Sequence, residues 1–177
     1  MTGTAQQIIN YLWEQDKTKQ WDIKEHRQKR TLTQNAYYWQ LLTQLAKKLR
    51  VSTTRMHNIL LRDCAPPFIL DGKVAMQPIP DTEKAMDEIL ESETFHLKPT
   101  SGIIVGQDGL IYRWCIILRG SSTFNTDEMS ALVDLLVQEC KQQNIETLPP
   151  HELEAMRQRA KEIERKKQVQ QQKSTDS

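Results

Sequence analysis

One segment constrains the fold more than any other. From Asn125 to Cys140, apolar residues stand at Met129, Leu132, Val133, Leu136, Val137 and Cys140. These steps of three and four place one continuous apolar stripe on a helix. Asn125 precedes the stripe as an N-cap, and Glu128 lies three residues on, the spacing of a reciprocal capping pair. A helix so striped must bury that face against other elements. Just upstream, Leu110–Leu118 (LIYRWCIIL) has no helical period and is nearly all apolar or aromatic. It reads as a strand buried on both faces, or as the central strand of a sheet. Gly102–Val105 and the turn Gly106-Gln107-Asp108-Gly109 supply the other arm of its hairpin. A strong helix beside a hairpin points to an α+β fold.

The remaining elements fit that class. Ile8, Ile9, Leu12 and Trp13 make one face of a helix over Ala5–Asp16, and Gln20–His26 alternates as a short strand around Trp21 and Ile23. A second helix is capped at Thr31 or Thr33, with Trp39, Leu42, Leu45, Ala46 and Leu49 as its core stripe. Lys47, Lys48 and Arg50 fall in its last turn, where the helix dipole favours cations. A third helix starts at Ser52 or Thr53, carries Met56, Ile59 and Leu60 inward, and stops before Pro66. Pro66–Pro80 reads as loop, with a small hairpin around Asp71-Gly72. An acidic helix is expected over Thr82–Ser92, and a last helix after Pro149-Pro150. The expected architecture is a small antiparallel sheet packed with about five or six helices. Residues 1–150 form its domain, followed by a basic helix and a disordered Gln/Lys-rich tail over 151–177.

Several classes of chemistry find no support. The chain has 177 residues and a mean hydropathy of −0.64, with no apolar run near the roughly 20 residues of a membrane span. Its first residues, MTGTAQQIINYLWEQD, lack a basic start followed by an apolar stretch, so a cytoplasmic protein is expected. Cys64, Cys115 and Cys140 cannot all pair within one chain and read as reduced core thiols. His26, His57, His96 and His151 lie far apart, without zinc-site spacing. Neither GxGxxG nor GxxxxGK[ST] occurs, and no cofactor is expected. No G-x-S-x-G elbow is present, and an enzyme is not expected.

Charge is segregated. Lys17–Arg50 has nine bases and two acids, Asp81–Glu93 has six acids and one base, and Arg157–Lys167 has six bases and two acids. Arg27, Lys29 and Arg30 stand immediately before a helix start, where backbone N–H groups also favour a phosphate. Gln34 and Asn35 can bond a nucleic-acid backbone or base edges, and Tyr37 or Tyr38 can stack an unpaired base. Arg119-Gly120-Ser121-Ser122-Thr123 repeats the pattern, with a guanidinium, a flexible glycine and three hydroxyls before a helix. Ordinary roles compete: a capped helix, a turn glycine, tyrosines packed in the core, and Gln34 and Asn35 bridging to the Ser121–Thr123 loop.

Arg30-Thr31-Leu32-Thr33-Gln34-Asn35, followed by Trp39, resembles the R-[ST]-L-x-Q-N-x-x-x-W signature of the NinB-type (Orf-type) phage recombination proteins. A second landmark is also similar. The strand Ile116-Ile117-Leu118 runs into Arg119-Gly120-Ser121-Ser122-Thr123, then into the helix Asp127-Glu128-Met129-Ser130-Ala131-Leu132-Val133. The resemblance covers roughly Gln6 to Leu148. It implies an intertwined α+β homodimer in the bacterial host cytoplasm, a non-catalytic recombination mediator that binds single-stranded DNA. It also implies contact with single-strand-binding protein and help in loading a phage or host recombinase. On that reading Arg27, Lys29, Arg30 and Arg119 neutralise phosphates. Gln34, Asn35, Ser121, Ser122 and Thr123 bond the strand, Tyr37 or Tyr38 stacks a base, and Trp39 packs inside. Two rivals remain: a metal-dependent phage nuclease using the acidic 81–93 segment, and an adaptor for single-strand-binding protein that touches no DNA.

Overall fold

The computed structural model of the chain describes residues 5–15, 18–19 and 33–175. The chain divides into two compact units, Met1–Thr31 and Leu32–Ser177. The first contains helix α1 (Ala5–Trp13), on which Ile8 and Leu12 are half-buried. The strand expected over Gln20–His26 lies outside the described residues.

The second unit opens with helix α2 (Gln34–Leu49). Thr33 caps it, its hydroxyl accepting from the Ala36 N–H at 3.2 Å. The buried stripe is Gln34, Tyr37, Tyr38, Leu41, Leu42, Leu45 and Ala46. This corrects the phase expected from sequence. Leu42, Leu45 and Ala46 are inside, but Trp39 and Leu49 are exposed. Steps of three and four beginning at Gln34 pass through both tyrosines and leave Trp39 on the flank. Arg50, in the left-handed region at φ 58°, ends the helix.

Helix α3 (Thr53–Cys64) is capped by Ser52 and ends ahead of Pro66. Strands β1 (Ile69–Leu70) and β2 (Lys73–Val74) form a two-stranded hairpin. Its turn places Asp71 at φ 49° and Gly72 at φ 76°, a conformation that residues with a Cβ rarely adopt. The region read as loop also contains strand β3 (Met76–Pro80). Its prolines, Pro78 and Pro80, sit on a sheet edge, where a missing N–H is tolerated. Helix α4 (Glu83–Glu88), capped by Thr82, is shorter than the acidic segment.

Strands β4 (His96–Val105) and β5 (Ile111–Leu118) complete a three-stranded antiparallel sheet of order β3-β5-β4. β5 is central, as its apolar sequence predicts, and Cys115 faces both Gln77 and Pro99 across the ladders. It is not buried on both faces, since only Cys115 and Leu118 are enclosed. β4 departs from regular register between Pro99 and Ile103, where Arg113 Nη1 donates to the Thr100 carbonyl at 2.8 Å.

A short 3₁₀ turn (Ser121–Thr123) leads into helix α5 (Thr126–Gln142). Its buried residues are the six of the sequence stripe, and both halves of the Asn125–Glu128 capping pair form. Helix α6 (Pro150–Thr175) follows the proline pair and extends through the Gln- and Lys-rich stretch. Leu153 and Met156 join a core built from α2, α3 and α5, together with Leu118 of β5. These two side chains tie the start of α6 to that core. A smaller cluster of Ile89, Leu97 and Cys115 packs α4 on the sheet. The fold is α+β, with a small antiparallel sheet and six helices among the described residues. None of these helices is long and apolar enough to cross a membrane.

Candidate functional site

The first turns of α2 and the entry of α5, the described parts of the two segments that suggested binding, lie side by side because α2 and α5 pack against each other. Gln34 Nε2 donates to Ser130 Oγ at 2.7 Å, tying the first turn of α2 to α5. Thr33, Gln34 and Asn35 then share the lining of one shallow cavity, about 420 Å³, with Phe124, Asn125 and Thr126 and, from α6, Ile163 and Glu164. Two helix N-termini thus open onto the same hollow. Gln34 itself is buried and spoken for by Ser130, so its role is structural, while Asn35 is exposed.

A second cavity, about 370 Å³, lies where the other motif residues meet. Trp39 from α2 and Gly120, Ser121 and Ser122 from the β5–α5 connection line it, together with His57 and His96. The Trp39 and His57 rings are 4.9 Å apart and tilted by 39°, and the two imidazoles meet edge to face at 5.5 Å. Behind them, the Tyr38 hydroxyl lies 2.7 Å from His57 Nδ1, and Ser121 Oγ lies 3.4 Å from His57 Nε2. His96 Nδ1 stands 2.6 Å from Asn58 Oδ1.

The hydrogen-bond partners favour one placement of the protons. Asn58 Nδ2 donates to the Leu90 and Ser92 carbonyls at 2.8 and 2.9 Å, so its Oδ1 must accept. His96 therefore carries its hydrogen on Nδ1 and keeps a lone pair on Nε2. Tyr38 is fully buried, and its hydroxyl hydrogen finds an acceptor in His57 Nδ1. His57 then holds its own hydrogen on Nε2, facing Ser121. Burial, with His96 alongside, pushes the His57 pKa down to about 4, and burial lowers that of His96. Both rings are neutral at pH 7.

Other expected site residues stand differently. Arg27, Lys29 and Arg30 lie outside the described residues, as does Thr31. Tyr37 and Tyr38 are enclosed in the core, Tyr37 accepting from the Leu148 N–H at 3.0 Å, so neither offers a ring face to a base. They follow the helix period into the interior, which corrects the stacking role. Arg119 holds Glu128 at 2.8 Å and the Thr123 carbonyl, and Thr123 donates to the Gly120 carbonyl. This guanidinium braces the start of α5 and is not a free cation. Ser121 and Ser122 do reach the second cavity.

The acidic segment is largely engaged in ion pairs: Asp81 with Arg113, Asp87 and Glu91 with Arg55, and Glu88 with Lys84. Among the described residues, no group of three or more His, Cys, Asp or Glu is placed to hold a metal ion. Cys64, Cys115 and Cys140 are unpaired, and burial raises the thiols of Cys64 and Cys140 to about 11. Sequence reasoning missed Trp39 as an exposed wall, along with His57, Asn58 and His96. Trp39 could have been found by starting the α2 stripe at Gln34. The two histidines share no spacing that marks them as neighbours. Comparison with family models, curated proteins and solved structures finds no match to this chain.

Proposed function

We propose that this chain binds single-stranded DNA and acts as a recombination mediator, as its resemblance to the NinB-type proteins implies. The observation that supports this most is the meeting of the two motif segments. One cavity joins the entries of α2 and α5, and another joins Trp39 to Gly120, Ser121 and Ser122. On this reading the strand runs along the α2–α5 seam. Amides and hydroxyls at the entries of α2 and α5 bond its backbone, and Arg27, Lys29 and Arg30 neutralise phosphates. The active species is a homodimer that contacts single-strand-binding protein and assists a phage or host recombinase.

Titration of fluorescent oligo-dT at several salt concentrations tests the reading. Affinity should fall with salt at a slope of about −0.7 per phosphate neutralised. Replacing Arg27, Lys29 and Arg30 together by Ala should flatten that slope. Absence of salt-sensitive binding at low ionic strength would remove the proposal.

A further inference from the structure

Resting on the single-strand reading, we propose that the cavity between Trp39, His57, His96 and Gly120 receives one unstacked nucleobase, held by stacking and by hydrogen bonds to its edge. The lining argues for an uncharged guest. Among the described residues it contains no lysine or arginine, and its one formal charge is the carboxylate of Glu93. A phosphate would meet repulsion there; a neutral heterocycle would not.

The polar groups are of two complementary kinds. His57 Nε2 presents a hydrogen, only loosely engaged by Ser121 at 3.4 Å. His96 Nε2 presents a lone pair, because Asn58 holds its other nitrogen as a donor. Each base has a donor and an acceptor side by side on its Watson–Crick edge, so such a pair accepts any base without strict selection. The exposed Trp39 ring supplies a flat wall next to them. The imidazoles are fixed from behind by Tyr38 and Asn58, which removes much of the ordering cost of binding.

Gly120 gives a clean probe. Its φ is −73°, which any residue adopts, yet a methyl there would stand 3.3 Å from His96 Nε2. Gly120→Ala therefore crowds the acceptor without straining the backbone. Trp39→Leu removes the wall at an exposed position.

The experiment compares the full chain and both variants on two strands of equal length and charge, one mixed-sequence DNA and one made of abasic sugar-phosphate. A 2-aminopurine within the DNA strand reports stacking. The unaltered chain should hold the base-bearing strand about tenfold more tightly, the size of one base–aromatic stack, and change the 2-aminopurine emission. Each variant should bind both strands at the abasic level with that emission unchanged. Equal affinity of the unaltered chain for the two strands overturns the pocket and leaves the single-strand reading standing. Variants that keep the preference also overturn the pocket. If the unaltered chain binds neither strand, the single-strand reading itself falls.

Discussion

Tyr38 and His57 form a buried polar pair, hydrogen-bonded at 2.7 Å behind the second cavity. Neutral His57 satisfies the phenol hydrogen; a protonated ring would have to turn a donor toward it. Ser121, His96 and Trp39 also face the ring, with Glu93 at the same cavity. The folded-state pKa of about 4 lies below the ordinary 6.5. Between those values the unfolded chain binds a proton that the folded chain does not. Stability should therefore fall as pH is lowered through that window and level off below it, by about 3 kcal/mol for His57 if the whole shift is realised. Denaturant unfolding between pH 7 and 4 measures the slope. His57→Gln, which can still accept from Tyr38, should have a shallower slope. An unchanged slope would mean that His57 is not kept neutral in the fold.

Among the elements, α5 shows how local signals suffice. Asn125 Oδ1 accepts from the Glu128 N–H at 2.9 Å, and Glu128 accepts in return from the Asn125 N–H at 2.9 Å. The Asn125 N–H and Arg119 together hold the Glu128 carboxyl below its usual range. Asn125→Ala should destabilise the fold by about 1 kcal/mol, read as a lower denaturation midpoint. A midpoint that does not move would show that the cap contributes nothing. Such helix starts are legible because cap and stripe are neighbours in sequence; of the pairs Thr31 or Thr33 and Ser52 or Thr53, Thr33 and Ser52 are the caps, and Thr82 caps the acidic helix. β3 was not legible. Pro78 and Pro80 spoil a strand pattern, and only pairing with Trp114 and Tyr112 of β5 makes the segment a strand. Site residues divide on the same line. Ser121 and Ser122 stand in a local motif. His57 and His96 come together through tertiary contacts of α3, with Asn58 and Arg62 reaching β4 and the loop before it.

For the whole molecule, charge and core lie in different parts of the chain. The described core runs from Tyr37 to Met156. The bases of Lys17–Arg30 all precede Thr33, in the unit that ends at Thr31. Lys47 and Lys48 lie at the far end of α2, whose 16 residues span about 24 Å. Arg119 is paired with Glu128, and Arg55 and Arg113 are paired with acids of the 81–93 segment. On the proposed reading, phosphate neutralisation depends on Arg27, Lys29 and Arg30 of the first unit, while the cavity at Trp39 and His57 is built wholly from the second unit. A chain beginning at Leu32 should accordingly still unfold cooperatively. Its oligonucleotide affinity should be weaker and less sensitive to salt, and it should keep its preference for base-bearing over abasic strands. Lys47→Ala with Lys48→Ala in the full chain should leave the salt slope as it was. If truncation leaves the slope untouched, the cations that meet phosphate lie elsewhere, and the basic stretch Arg157–Lys167 is next to be tested. If it abolishes the base preference while the chain stays folded, the cavity does not act independently of the N-terminal unit.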